Sequence, residues 1–493
     1  MLAELGIDTF TFIMLALALL MALSFEFVNG FHDTANAVAT VIYTHTLKPS
    51  QAVVWSGMWN LIGVLTSSGA VAFGILALLP VELVLNVGSG AGFAMVFALL
   101  LSAIIWNVGT WYLGLPASSS HTLIGSIVGV GLMNSYLSPG SAFGDGVNWA
   151  KVADTGKALL FSPIIGFVFA ALVLLLMKAL IKMPALFESP KGDTPPPWPV
   201  RALLVLTCTG VSFAHGSNDG QKGMGLIMLI LIGIAPVGFA LNLGADGDKL
   251  ARVQASATSI QASLAPSGAP TLDEAAARTA LTQFLKTRKI DENTIPALAQ
   301  ANSTVIAGLQ GLKSLNEVQP DKRRDLRMDL YMVTETLGKL DKAGKLPAGV
   351  DKAAAGKYAG DLKGLTTFIP VWVKVAVAFA LGLGTMIGWK RIVVTVGEKI
   401  GKAHLTYGQG ASAELVAFAT IEAADQLGLP VSTTHVLSSG IAGTMVANKS
   451  GVQGDTIRNV LLAWVLTLPV CVLLGAMTFA AGLFLVFRVL GMH

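Results

Sequence analysis

The chain has 493 residues, 53% of them hydrophobic and only 13% charged, with a mean hydropathy of +0.67. Soluble proteins carry about 25% charged residues, so this composition excludes an ordinary soluble domain and indicates a multi-pass protein of the lipid bilayer. A net charge of +4 fits ordinary positive cytoplasmic loops and argues against nucleic acid as a partner.

Apolar segments recur at 9–29, 51–79, 93–113, 158–181, 201–214, 223–243, 369–389, 408–421 and 457–487; a spanning helix needs roughly 20 such residues. The first has no Lys or Arg before Lys48 and is too long for the apolar core of a cleaved signal, so it reads as a transmembrane helix. The stretches 30–46, 116–134 and 430–447 are apolar but rich in Gly, Ser and Thr, and are expected to be broken or re-entrant helices. Cys208 and Cys471 lie in apolar runs and read as core-packing thiols, since two cysteines make neither a disulfide framework nor a zinc site.

Two segments are too polar for the membrane. The stretch "FESPKGDTPPPWP" (187–199) is a solvated connector. Residues 245–365 form a polar insert whose "DKRRDLRMDLYMVTETLGKL" (321–340) has amphipathic helical spacing, so a small helical extramembrane domain is expected. The chain thus divides into an N-terminal transmembrane repeat (1–182), a cytoplasmic Pro-rich linker (183–200), the first element of a C-terminal repeat (201–244), the insert (245–365) and the rest of that repeat (366–493).

The positive-inside rule puts Lys48, Lys178, Lys182, Lys191, Arg201, Lys390, Arg391, Lys399 and Lys402 in the cytoplasm. Segments before residue 48 and from 80 to 92 lack Lys and Arg and belong outside. Alternate threading satisfies both if 9–46 and 201–243 each cross once as a broken element. Both termini and the insert then face outward, with about ten crossings in all.

The chain also repeats itself. "GLPASSSHTLIGSIVG" (114–129) and "GLPVSTTHVLSSGIAG" (428–443) agree at eight of sixteen positions, including Gly114/Gly428, Pro116/Pro430, Ser118/Ser432 and His121/His435. A weaker echo joins "GFHDTAN" (30–36) to "GSNDGQK" (216–222): Phe27, Gly30 and Asp33 match Phe213, Gly216 and Asp219, and Asn36 meets Lys222. The order of the two motifs is the same in each half. With an odd number of crossings per half, the halves lie in opposite orientations, as in secondary transporters with inverted repeats and interrupted helices around a midplane site.

The chemistry follows from residue type. Pro116 and Pro430 are expected to start half-helices inside the membrane. Ser118, Ser119, Ser120 and Thr122, and Ser432, Thr433 and Thr434, would crowd their first turns, adding hydroxyls to free N–H groups and a positive dipole end. Two such cradles suit a tetrahedral oxyanion; the plainer reading is that these residues cap and pack helices. Asp33 and Asn36, and Asp219 and Lys222, are spaced to share one helix face. A carboxylate in an anion site needs a cation or a proton, so Asp33 and Asp219 fit a coupling-ion ligand, a metal ligand or a proton carrier; a buried Asp219–Lys222 salt bridge is the alternative. His32, His121, His215, His435, Glu26 and Glu414 are candidates for a proton relay, or simply hydrogen-bond neighbouring helices.

These motifs resemble the inorganic phosphate transporter (Pit) family, whose members carry an N-D-x-x-N-like and a GLPxSxTH motif in each half. The match is full in the second GLP motif; in the first, Ser120 replaces Thr. Lys222 stands where many members have Asn, and His32 replaces the Asn before Asp33. "GFHDTANAVATVIYT" and "HGSNDGQKG" look most like the bacterial low-affinity, proton-coupled branch. The resemblance implies an all-α inverted-repeat symporter, an inner-membrane homodimer, that imports phosphate as a neutral complex with Mg2+ or another divalent metal. It implies no other cofactor and no enzyme activity. Asp33, Asp219, Asn36 and Asn218 would hold the coupling cation, proton or metal. The seven motif hydroxyls would grip phosphate with Asn36, Asn218 and Lys222. Sodium-coupled members tend to carry a Phe-Glu pair soon after the first motif, where this chain has Trp59-Asn60, which favours protons over sodium; Glu414 pulls the other way. The competing readings are a sodium-coupled phosphate symporter, a sulfate or anion carrier or channel, and an intramembrane phosphatase using "SSSHT", for which no third orienting residue or GxSxG elbow is visible.

Overall fold

Hydrocarbon offers no partner to a backbone N–H or C=O, so a membrane-spanning chain must satisfy both internally, in helices or in a closed barrel. A computed structural model describes residues 6–33, 35–76, 78, 89–138, 140–145, 147–190, 192–264, 272–489 and 491, with the side chains of 35, 36 and 151 outside the description. Among these residues the fold is helical, with one isolated bridge between Gly401 and Val452.

The first half comprises α1 (Thr9–Asp33), α2 (Ala35–Tyr43), α3 (Pro49–Thr66), α4 (Ala70–Leu76), α5 (Gly90–Tyr112), α6 (Ser119–Leu137) and α7 (Trp149–Leu180). A connector then leads to α8 (Trp198–Ile234). The insert supplies α9 (Gly247–Leu264), α10 (Glu274–Thr287), α11 (Thr294–Leu309), α12 (Arg323–Lys342) and α13 (Lys352–Thr366). The chain ends with α14 (Val371–Met386), α15 (Lys390–Val394), α16 (Tyr407–Gln426), α17 (Thr433–Ala447) and α18 (Gly454–Phe484).

Four helical stretches among the described residues are long and apolar enough to cross a membrane, or up to six if the bent pairs α3–α4 and α13–α14, each turned by 75°, count as spans. Fewer than the expected ten meet that criterion: α6 and α8 carry polar motif residues among their apolar ones, and α17, at 15 residues, is short of a full span. The outward faces of α7 and α18 are apolar and exposed, with Leu160, Ile164, Leu172, Leu461 and Val465 suited to lipid.

Two expectations need correction. Residues 201–243 are not broken at the acidic motif: α8 runs unbroken for 37 residues from Trp198 to Ile234. Gly216 serves close approach instead, since a Cβ there would lie 2.1 Å from the Asn60 carbonyl oxygen of α3. Nor do Pro116 and Pro430 begin helices. Ser118 and Ser432 are the N-caps, each accepting from the backbone N–H of His121 or His435 at 3.2 Å, and the prolines lie two residues upstream. A serine hydroxyl satisfies a helix-end N–H that proline can only leave bare. The motif glycines Gly114 and Gly428 take φ of +69° and +63°, the left-handed turn that only glycine adopts without cost.

Glycine also sets how the halves interlock. A Cβ on Gly129 of α6 would lie 2.0 Å from the Val472 carbonyl oxygen of α18, and one on Gly443 of α17 would lie 2.1 Å from that of Phe167 in α7. A Cβ on Gly30 of α1 would reach 2.3 Å from the Leu381 oxygen of α14. Each short helix thus rests on a long helix of the other half, and small residues permit that contact in lipid.

The insert folds around a core of its own, including Leu281, Phe284, Leu298, Leu330 and Tyr358. Arg323 donates to the Val237 carbonyl and Arg327 to those of Ala240 and Thr366, at 2.6–2.7 Å, tying α12 to the end of α8. Burial pulls Arg327 down to a pKa of about 10.

Gly129→Ala is expected to push α6 off α18 and lower the melting temperature of the purified protein by several degrees, against the roughly 1–3 kcal/mol cost of overpacking. Gly156→Ala in α7, where a Cβ meets nothing within 4 Å, should leave it unchanged. Equal melting temperatures in a thermal-shift assay would reject this packing.

Candidate functional site

The two acidic motifs and the two GLP motifs meet at Asp33. This side chain ends α1 and is buried. Its Oδ1 accepts from Thr434 Oγ1 at 2.5 Å and lies 3.3 Å from His32 Nδ1. Its Oδ2 accepts from Ser119 Oγ at 3.1 Å and lies 3.8 Å from His215 Nε2. Ser119 and Thr434 are the first and second residues of α6 and α17, so a carboxylate from one half sits at the positive N-terminal ends of a short helix from each.

Asp219 approaches from α8. Its Oδ2 accepts from Lys222 Nζ at 2.7 Å, lies 3.6 Å from His215 Nε2 and accepts from Ser119 Oγ at 3.3 Å. The salt bridge named as the alternative is therefore present, and it lies inside the site. Lys222 also donates to Ser119 Oγ at 3.3 Å. One hydroxyl thus touches both carboxylates and the ammonium. Asp33, His215 and Asp219 hold donor atoms within 4.8 Å of one another, a spacing that could ligate a cation. Asp219 Oδ1 and His215 Nε2 are buried without a hydrogen-bond partner in the protein. Buried polar atoms in that state are rare, and these are the atom types that bind cations.

Not every predicted residue joins this network. The Asn36 side chain lies outside the described residues. Asn218 turns its amide to the Leu429 carbonyl at 3.2 Å. Ser118 and Ser432 cap helices, and Thr122 donates back to the Ser118 carbonyl at 2.8 Å. Ser120, the sequence counterpart of Thr434, donates to the Val431 carbonyl at 2.8 Å instead of a carboxylate. Thr433 is buried in the first turn of α17. His121 and His435 stack on each other with centroids 4.8 Å apart, His435 stacks on Trp464 at 4.0 Å, and all three line a lateral apolar cavity of 860 Å³. Glu26 packs against Gly223, beside Lys222, with Asn29 Nδ2 at 3.4 Å. Glu414 accepts from Thr40 and from Thr207 at 2.5 Å, on a separate contact between α2, α8 and α16.

Other residues complete the site. Thr110 lies 3.1 Å from His32 Nε2. Asn60 Oδ1 lies 2.7 Å from His215 Nδ1, and its Nδ2 donates to Thr385 at 3.1 Å. Asp425 accepts from Ser217 at 2.8 Å and from Gln221 at 2.5 Å, which ties the end of α16 to α8 just before the second GLP turn. An acid near the end of an apolar helix, three residues before that motif, was a signal in the sequence. The pairing of Asn60 with His215 was not.

The model of the phosphate transporter family matches residues 29–475. The chain is 44% identical over 490 residues to the low-affinity inorganic phosphate transporter PitA of Escherichia coli (strain K12), covering 95% of this chain and 97% of that protein. It is 42% identical over 492 residues to PitB of the same strain, with the same coverage. Identity to the low-affinity inorganic phosphate transporter of Buchnera aphidicola subsp. Acyrthosiphon pisum (strain APS) is 39% over 495 residues. A solved structure, the sodium-dependent phosphate transporter, matches with a TM-score of 0.51 at 18% identity, over 95% of this chain and 98% of that one; this is a likeness of fold. The relatives are transporters, which sets the phosphatase reading aside. On a family match spanning most of its length and relatives above 40% identity, the chain belongs to the phosphate transporter family.

Proposed function

We propose that this chain is a low-affinity inorganic phosphate transporter of the bacterial inner membrane, moving phosphate as a neutral divalent metal complex by proton symport. The observation that carries this reading is the convergence of both short-helix N-termini, through Ser119 and Thr434, on one buried carboxylate. N–H groups and hydroxyls at such ends bind tetrahedral oxyanions. A carboxylate among them repels bare phosphate, and a metal between the two removes the repulsion.

In this scheme Asp33, His215 and Asp219 face the metal, and the first turns of α6 and α17 face phosphate. His32 and His215, both against Asp33, are the groups best placed to carry the proton; Glu26 borders Lys222. Glu414, His121 and His435 lie off that path and serve packing. The halves, in inverted orientation, rock about the site, with α6 and α17 moving on the glycine contacts of α18 and α7. Both termini and the insert face the periplasm, and two copies form a dimer.

Phosphate uptake into proteoliposomes under an imposed pH gradient, without sodium, tests the reading. Uptake should require the gradient, rise with Mg2+, and fall at least about tenfold in Asp33→Asn, equivalent to ~1.4 kcal/mol. Uptake appearing only with sodium would replace the proton with sodium; no flux under either gradient would remove the transport assignment.

The hydroxyls give a second test. Thr434→Val should raise the KM for phosphate about tenfold, the loss of one hydrogen bond to a charged group. Ser120→Ala, at the equivalent sequence position, should change it less than about threefold, because its hydroxyl serves a carbonyl. Equal effects would show that the two cradles bind phosphate alike.

A further inference from the structure

The two halves bring unequal charge to a shared site. Aligned at Asp33 and Asp219, the repeat pairs Asn36 with Lys222, so a neutral amide in one half becomes an ammonium in the other. That ammonium is 1% exposed and 2.7 Å from the fully buried Asp219. Among the described residues, no Lys or Arg nitrogen comes within 4.0 Å of Asp33; its contacts are Thr434, Ser119, His32 and His215. One carboxylate therefore carries a covalently tethered counter-charge and the other does not.

Burying a carboxylate costs several kcal/mol unless a cation or strong donors compensate it. At Asp219 the ammonium takes the oxygen that faces Asp33, together with the shared Ser119 hydroxyl. A mobile cation can still approach between the two carboxylates, where the buried His215 Nε2 has no hydrogen-bond partner, lies 3.8 Å from Asp33 Oδ2 and 3.6 Å from Asp219 Oδ2, and where Asp219 Oδ1 is also unpartnered.

We infer that Lys222 is a built-in cation that fills one of two equivalent cation positions, leaving a single mobile metal-ion site among Asp33, His215 and the free oxygen of Asp219. The purpose of that ion rests on the transport reading above; the number of ions does not. The competing role for Lys222 is a direct phosphate ligand.

Mn2+ serves as the probe, counted by electron paramagnetic resonance on the purified full-length protein in the absence of phosphate. Wild type should bind one Mn2+ per chain, Asp33→Asn none and Lys222→Arg one. Lys222→Asn should bind two, because Asp219 and the introduced amide open the second position. Lys222→Met, close to lysine in shape but uncharged, should also bind two, and replaces the Asn variant if that one fails to fold. A wild-type count other than one overturns the inference. So does a count that stays at one in a folded neutral variant, all the more if the KM for phosphate rises more than tenfold there. Vesicles that move no phosphate would sink the proposed function and leave the Mn2+ count standing, so the two failures are distinguishable.

Discussion

Two carboxylates held out of water among apolar helices are the constraint to which the rest of the structure responds. Asp33 and Asp219 share one hydroxyl, Ser119 Oγ, and one imidazole, His215. Each buried charge costs several kcal/mol unless it is compensated. The compensation comes from helix N-termini, hydroxyl donors and one lysine, and these lie far apart in sequence. Thr434 is 401 residues from Asp33. The fold has to bring four separate segments within 4 Å and hold them there.

Glycine makes that convergence possible. The short helices α6 and α17 lie against α18 and α7 at distances no side chain would allow, and α1 and α8 approach α14 and α3 in the same way. In lipid, apolar burial does not drive helices together, so close backbone contact and hydrogen bonding must do so. The loop before α6 is anchored as well. Thr395 Oγ1 donates to the Gly114 carbonyl at 2.7 Å, and Trp464 Nε1 donates to that of Pro116 at 2.8 Å. Cap and turn together fix where Ser119 and Thr434 point, with the anchor added at Ser119.

Much of this was legible in the residues, because the signals were local. Apolar length marked the spanning helices, polar composition marked the insert, and duplicated Gly-Leu-Pro and Ser-x-x-His spacing marked the two short helices. Asp33, Asp219, Lys222, Ser119 and Thr434 were all named from their motifs. What escaped depended on packing. The glycine at 216 reads equally as a break or as a contact, and only the Asn60 carbonyl opposite decides it. Ser120 and Thr434 are equivalent in sequence, yet one meets a loop carbonyl and the other a carboxylate. Thr110 sits on a helix whose local pattern says only that it is apolar, and nothing local pairs Asn60 with His215.

That divergence between equivalent positions bears on how a duplicated scaffold works. A symmetric pair of cradles around a symmetric pair of carboxylates would present two equal anion sites and two equal cation sites, and ligands could distribute among them. Here the symmetry is broken at each level: Ser120 is withdrawn from the site while Thr434 stays, and an amide stands opposite an ammonium. The backbone keeps the repeat, with its glycine contacts and left-handed turns at Gly114 and Gly428. On the proposed reading, the side chains reduce two potential sites to one. A carrier needs the scaffold symmetry so that its two halves can exchange roles across the membrane. It needs the chemical asymmetry so that a single, defined load is bound each time.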